Sequence, residues 1–264
     1  MDLQAIRTTV EAIARQAGVA VMQFYDQPHQ ETMKSNIYDV VTEGDKASEA
    51  VIVPALRAAF PQYRIVSEEG GGSDTDAAAE YAWYVDPIDG TTNFANNIPF
   101  FSVSIALADR NLVPVVGVVF NPVYGEMFSA AQGLGATFNG RPIQVTRTAD
   151  LSRAVLSTGF AYDRHTQADN NLAHWEAMLM EARDMRRFGS AALDLAFVAA
   201  GRLDGYWEKP LHSWDCLAGL LLVQEAGGQT SDYSGGKGNL YSGAEVVATN
   251  GLLHDRVLAV LNKR

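Results

Sequence analysis

The chain is nearly devoid of thiols. Cys216 is its single cysteine, so no disulfide can form within it, and a reducing compartment, the cytoplasm, is expected. Basic runs are also missing. Lysine and arginine number 20 against 31 aspartates and glutamates, a net charge of −11. That balance argues against an electrostatic grip on nucleic acid or on an anionic membrane, so neither partner is expected. It also means that an anionic substrate is repelled unless cations reverse the local field. No apolar run approaches the roughly 20 residues that span a bilayer. The longest candidate, Cys216 to Val223, suits a core helix. No internal repeat, low-complexity stretch or G-x-G-x-x-G turn is present, which counts against a nucleotide-dependent oxidoreductase. No D-x-D-x-T pattern is present either, which counts against an aspartyl-phosphate mechanism.

What is present is acid in unusual places. The segment W-Y-V-D-P-I-D-G-T-T, from Trp83 to Thr92, sets Asp86 and Asp89 around a proline. V-S-E-E-G-G lies upstream with Glu68 and Glu69, and H-S-W-D-C far downstream with Asp215. Each acid adjoins an apolar stretch that reads as a buried element, so these carboxylates are expected to face a cleft. Two unit charges about 4 Å apart repel by roughly 4 kcal/mol at an effective dielectric of about 20. Several such pairs would offset most of a fold's net stability of about 5–15 kcal/mol. A cluster without matching lysines or arginines therefore takes up protons or binds a multivalent cation. Hard oxygen ligands favour Mg²⁺.

At 264 residues the chain is long enough for one large domain or two smaller ones. Its start, M-D-L-Q-A-I-R-T-T-V-E-A-I-A, reads as an amphipathic helix over residues 3–25 rather than a signal peptide. Thr42 and Asp45 form a capping-box pattern, and a helix should run from there to Phe60, stopped by Pro61. Short strands are expected at 63–67 and 82–85. Antiparallel strands should follow at 101–108 and 112–120, turning at Asp109-Arg110-Asn111, with sheet continuing at 125–131 and 136–138. Beyond that the texture changes to alternation: strands at 154–158, 184–188, 203–207 and 246–249, and helices at about 166–183, 191–200, 214–226 and 252–261. The chain is therefore read as residues 1–145, an α+β domain with an antiparallel sheet and most of the metal ligands, and residues 146–264, an α/β domain contributing Glu208 and Asp215. A site is expected in the cleft between them.

Each motif has a plainer reading. Proline restricts its own φ and the residue before it, so the strand is expected to end at Asp86. The turn that follows could aim both aspartates and the Ile88 carbonyl at one point, or be a surface Asp-Gly turn. Gly90-Thr91-Thr92 can cap a short helix or present N–H groups to phosphate. Taken singly, Glu68-Glu69 reads as a solvated acidic pair, Asp215 as a helix cap, and Lys34, Asp45 and His212 as structural. Glu208, just after a strand, could face the same cleft.

Taken together, these residues resemble the inositol monophosphatase family of Mg²⁺-dependent, lithium-sensitive phosphatases. The matching segments are K-S-N-I-Y-D-V-V-T-E-G-D (34–45), V-S-E-E-G (66–70), W-Y-V-D-P-I-D-G-T-T-N-F (83–94), G-S-A-A (189–192), Y-W-E (206–208), H-S-W-D-C-L-A-G (212–219) and E-A-G-G (225–228). The resemblance implies a layered αβαβα sandwich, of the type shared with fructose-1,6-bisphosphatase, and a homodimer. It implies two or three Mg²⁺ ions: one on Glu68, Asp86 and the Ile88 carbonyl, a second on Asp86, Asp89 and Asp215, and a weaker third bordered by Glu68 with Glu69 nearby. Glu68 and Thr91 would position and deprotonate the attacking water, with Asp89 counted among the catalytic groups. The Gly90 and Thr91 N–H groups would hold the phosphate. Glu208, Ala191 and Asp89 would line the pocket for the alcohol, with Ser190 beside them where some relatives carry Thr or Ala. Lys34 would lie on a mobile loop near the metals, together with Asp45. The implied substrate is a small phosphorylated polyol, inositol 1-phosphate first. Rivals are histidinol phosphate, a sugar bisphosphate and a 3′-phosphorylated nucleotide. A regulatory binding protein of the same fold is the non-enzymatic alternative.

Overall fold

A computed structural model of the chain describes residues 1–27, 32–33, 40–70 and 79–263. Helix α1 (Leu3–Met22) opens on Asp2, whose carboxylate accepts from the Ala5 N–H at 3.0 Å. It buries Ile6, Val10, Ile13, Ala14, Ala17 and Val21 along one face, the helical periodicity expected. Two short paired strands follow, β1 (Thr32–Met33) and β2 (Val40–Val41), neither of them expected from the sequence. The capping box forms at α2 (Glu43–Ala59) as Thr42 and Asp45 predict.

A large sheet comes next. Its strands β3 (Arg64–Ser67), β4 (Tyr81–Asp89), β5 (Ser102–Asp109), β6 (Pro114–Asn121), β7 (Glu126–Ala131), β8 (Ala136–Phe138) and β9 (Arg141–Pro142) lie side by side in chain order. Only the β3–β4 pair is parallel. A short helix, α3 (Thr91–Ala95), bridges β4 and β5. The second sheet has the order β11-β10-β12-β14-β13. It comprises β10 (Val155–Thr158), β11 (Asp184–Arg186), β12 (Gly205–Glu208), β13 (Gln229–Ser231) and β14 (Val246–Thr249). Strands β11, β10 and β12 are parallel, and β14 runs antiparallel to β12 and β13.

Alternation along the strands sorts most buried side chains into three cores, beside a smaller fourth cluster of Val21, Ile88, Phe94 and Phe101. Val103, Ile105 and Leu107 on β5, with Val116 and Val118 on β6, pack under α1 and α2. Their neighbours Ala106, Ala108 and Val119 face the opposite way, onto α5 (Ala191–Ala199) and α6 (Ser213–Glu225). Tyr206, Val246 and Ala248 of the second sheet close that middle core from the far side. Leu156, Trp207 and Val247 point outward, onto α4 (Leu172–Leu179) and α7 (His254–Leu261). The result is the αβαβα stack. Because both faces of both sheets are covered, β6 is buried along its whole length, which is why it reads as an unbroken apolar run.

Three expectations need correction. Strand β4 does not stop at Asp86 but continues through Pro87 to Asp89, with a register shift between the two aspartates. A bulge leaves a residue unpaired, so the missing proline N–H removes no ladder bond there. Helix α4 is much shorter than 166–183. Its start is set by Asn171, whose amide donates to Thr158 Oγ1 (2.9 Å) and the Gly159 carbonyl (2.7 Å) while its Oδ1 accepts from Trp207 Nε1 (2.9 Å). Strand β13 went unforeseen because Q-T-S at a sheet edge carries no apolar signature.

Candidate active site

The acidic motifs lie at element ends that converge. Asp86, Ile88 and Asp89 sit on the last turn of pleat in β4, Glu68 just past β3, and Asp215 in the first turn of α6. Together with Gly90, Thr91, Ser190, Ala191 and Glu208 they line one cleft of ≈ 470 Å³. His212 and Trp214, stacked at 4.7 Å between ring centroids, form part of its wall. Among the described residues Arg187 is the only lysine or arginine lining it, against Glu68, Asp86, Asp89, Asp163, Asp194, Glu208 and Asp215.

Local geometry fixes the individual groups. Gly90 adopts φ 97°, ψ 38°, a left-handed conformation that suits glycine and turns the chain from β4 into α3. Asp89 is held by the start of α5. Its Oδ2 accepts from Ser190 Oγ (2.5 Å) and the Ala192 N–H (2.7 Å), its Oδ1 from the Ala191 N–H (3.3 Å). A carboxylate offers about four lone-pair sites, so these three bonds leave room for one more partner. Asp215 accepts from the His212 N–H at 2.7 Å; it caps α6 and faces the cleft at once. Thr91 Oγ1 stands 3.0 Å from the Ile88 carbonyl and 3.4 Å from Asp45 Oδ1. One hydroxyl carries one proton, so it can donate to only one of them at a time.

Burial dominates the electrostatics. It pushes Asp89 up to about 6 against the pull of its Ser190, Ala192 and Ala191 bonds. It raises Asp86 well above the usual carboxylate range, and repulsion from Glu68, Asp89 and Asp215 adds to it. Asp215 is raised in the same way, by burial first and the Asp89 charge second. Asp86 Oδ1 is buried with no hydrogen-bond partner, an arrangement that is unfavourable unless something positive meets it. Among the described residues no group of three or more His, Cys, Asp or Glu side chains is already arranged to hold a metal ion. The donor set nonetheless fits a hard divalent cation: oxygen ligands only, several of them desolvated, one orphaned, and no ammonium or guanidinium among them to neutralise the charge.

A model of the inositol monophosphatase family matches residues 2–264. The chain belongs to the inositol monophosphatase family. It is 42% identical over 261 residues to "Inositol-1-monophosphatase" of Synechocystis sp., covering 98% of this chain and 90% of that one. It is 42% identical over 241 residues to "Nus factor SuhB" of Escherichia coli (strain K12), covering 90% of this chain and 88% of the relative. The solved structure of inositol monophosphatase from Anabaena (Nostoc) sp. PCC 7120 superposes with a TM-score of 0.88 at 42% identity, covering 99% of this chain and 96% of that one. This inositol monophosphatase family member is a phosphatase, and the family is in general Mg²⁺-dependent.

Two of the expected neighbours, Asp45 and Glu69, are not part of the cleft lining. Asp45 is fully buried at the start of α2, bonded by the Thr42 N–H (2.8 Å) and hydroxyl (2.7 Å) and pushed up to about 7, chiefly by burial. It meets the site at Thr91 and feels the charge of Glu68. Glu69 stays outside the cleft lining, although its charge is felt at Asp45. Lys34 lies outside the described residues. Conversely, sequence reasoning missed Gly159, Arg187 and Asp194. Gly159 and Arg187 directly follow the parallel strands β10 and β11, and Glu208 ends β12. The rule that ligands gather at the carboxyl ends of parallel strands would have singled out the first two.

Proposed function

We propose that the chain hydrolyses a small phosphorylated polyol, inositol 1-phosphate first, using two or three Mg²⁺ ions and no covalent intermediate. Glu68, Asp86, the Ile88 carbonyl, Asp89 and Asp215 are the residues that would hold the ions. When bound, Mg²⁺ supplies Lewis acidity and charge neutralisation at the phosphate. The protein's own groups do the rest. Glu68 and Thr91 orient the attacking water, and Glu68 takes its proton. The Gly90 and Thr91 N–H groups meet phosphate oxygens, and attack runs in line with the departing alcohol. Glu208, Ala191 and Asp89, with Ser190 behind Asp89, receive the alcohol; a carboxylate such as Glu208 accepts hydrogen bonds from sugar-like hydroxyls. The observation that carries this reading is the buried, partnerless Asp86 oxygen in a cleft where, among the described residues, seven carboxylates meet a single arginine.

The test is phosphate release from inositol 1-phosphate, histidinol phosphate, a sugar bisphosphate and a 3′-phosphorylated nucleotide, with and without Mg²⁺. A clear preference for the first supports the reading; preference for another corrects the substrate. Lithium inhibition, a homodimer, a cytoplasmic location and a division of the chain at residue 145 belong to the same proposal. So does the absence of a nucleic-acid partner, which the net charge of −11 supports. Among the described residues no helix is long and apolar enough to cross a membrane. A second reading, a regulatory role in transcription, draws on the relatives named Nus factor SuhB. It does not compete with catalysis, because every acid expected at the site is present.

A further inference from the structure

Glu208 sits in an unusually confined place. It ends β12, two residues after Tyr206, so both side chains leave the same face of the strand while Trp207 between them points to the outer core. Tyr206 is 1% exposed, packed in the middle core with α5 and α6. A buried phenol needs a hydrogen-bond partner, and the Tyr206 hydroxyl finds it in Glu208 Oε2. The second confinement comes from the neighbouring strand. Thr158 on β10 pairs with Trp207, which puts Gly159 beside Glu208. A Cβ on Gly159 would lie 2.1 Å from Glu208 Oε2 and 2.2 Å from Oε1. The carboxylate therefore occupies the volume that any other residue at 159 would fill.

Resting on the reading that Glu208 receives the alcohol, we propose that Tyr206 and Gly159 are positioning residues that hold this carboxylate in one orientation, and that the fixed acceptor selects alcohols offering a hydroxyl at that point. Tyr206 occupies Oε2, which leaves Oε1 for the cleft that Glu208 lines. A freely rotating carboxylate would accept hydroxyls over a wide arc and lose entropy on binding each. A clamped one is organised before the substrate arrives and discriminates by position. Gly159 acts by leaving space and Tyr206 by donating a hydrogen bond, so the two act independently on one group.

The experiment compares inositol 1-phosphate with 4-nitrophenyl phosphate, whose leaving group carries no hydroxyl for Glu208. Wild-type, Tyr206→Phe, Glu208→Gln, the double variant and Gly159→Ala are assayed with saturating Mg²⁺, and the readout is the ratio of kcat/KM between the two substrates. Tyr206→Phe should lower that ratio about tenfold, the scale of one hydrogen bond to a charged group, mostly through KM for the inositol ester. In the Glu208→Gln background the same change should have little further effect, and Gly159→Ala should lower the ratio as Tyr206→Phe does. A fall in both substrates alike, an unchanged ratio, or full additivity in the double variant would each overturn the positioning role. If Glu208→Gln itself leaves the ratio unchanged, the assignment of Glu208 to the alcohol fails and the positioning role with it. If only Glu208→Gln changes it, the assignment stands and the positioning role alone falls. Tyr206→Phe keeps the ring that packs the core, so it remains informative if Gly159→Ala does not fold.

Discussion

Asp89 concentrates more structure than any other acid in the cleft. It closes β4, accepts three hydrogen bonds from the start of α5 and faces the other carboxylates. Asp89→Asn keeps the shape and removes the charge. Turnover of inositol 1-phosphate should fall by at least about 100-fold, roughly 2.7 kcal/mol of barrier, with the far-ultraviolet circular dichroism unchanged; near-normal Mg²⁺-dependent release would contradict the role given to Asp89. Ser190→Ala tests the support behind it. That serine donates to Asp89 and accepts from the Leu193 N–H as the cap of α5, so its loss should destabilise the protein by about 1 kcal/mol and raise the Mg²⁺ concentration needed for half-maximal rate. At this scale the sequence was readable where an acid adjoined a proline, a glycine or a strand end, as at Asp86, Asp89 and Glu68. Asp194 gave no such sign. It lies inside the apolar helix A-A-L-D-L-A-F-V-A, and only the tertiary stack shows that its buried carboxyl borders the cleft.

Elements reach the site through close packing of α6 on the large sheet. Gly117 of β6 lies under Ala218 of α6, and a Cβ there would stand 2.8 Å from the Ala218 carbonyl oxygen and 2.9 Å from its Cα. Backbone cannot swing aside as a side chain can. Gly117→Ala should therefore lower stability by about 1–3 kcal/mol in a denaturant titration and displace Asp215, which α6 carries, so that activity falls with it; unchanged stability would mean the two layers are not in tight contact. Helices with a strong periodic face, α1 and α2, were legible to within a few residues because burial on one side writes a period into the sequence. Edges and irregularities were not. Asn171 sets the start of α4 through bonds to Thr158, Gly159 and Trp207, partners no local reading supplies. Strand β4 passes Pro87 because a bulge needs no proline N–H, which propensity alone argues against.

For the whole molecule the buried acids set the response to pH. Burial raises Asp45 and Glu208 to about 7 and Asp89 to about 6, and lifts Asp86, Asp194 and Asp215 well above the usual range. The folded state thus holds protons that the unfolded chain has already released, and stability is lost as pH rises from near 4 through these folded values. His254, pushed down to about 4 by burial, works in the opposite direction but only below 6.5. Metal-stripped protein should therefore melt at a lower temperature at pH 8 than at pH 6.5. Added Mg²⁺ should raise the melting temperature more at pH 8, where the cation competes with fewer protons. A melting temperature that rises with pH in the absence of metal would contradict the clustering of these carboxylates. The layered stack was expected only through the resemblance that the motif segments carry; apolar alternation by itself gave an antiparallel sheet followed by alternating strands and helices. The cleft's full lining was not legible, because Glu68, Arg187, Glu208 and Asp215 meet only once both sheets are in place.

The proposed hydrolysis depends on carboxylates that face one cleft and would take a divalent cation. The most direct measurement is phosphate release from inositol 1-phosphate by metal-stripped protein as Mg²⁺ is added back. No turnover is expected without metal, then a saturable rise with Mg²⁺, and loss of that rise in Asp86→Asn. Turnover that persists in excess chelator, or an Asp86→Asn protein that follows the wild-type curve, would contradict it.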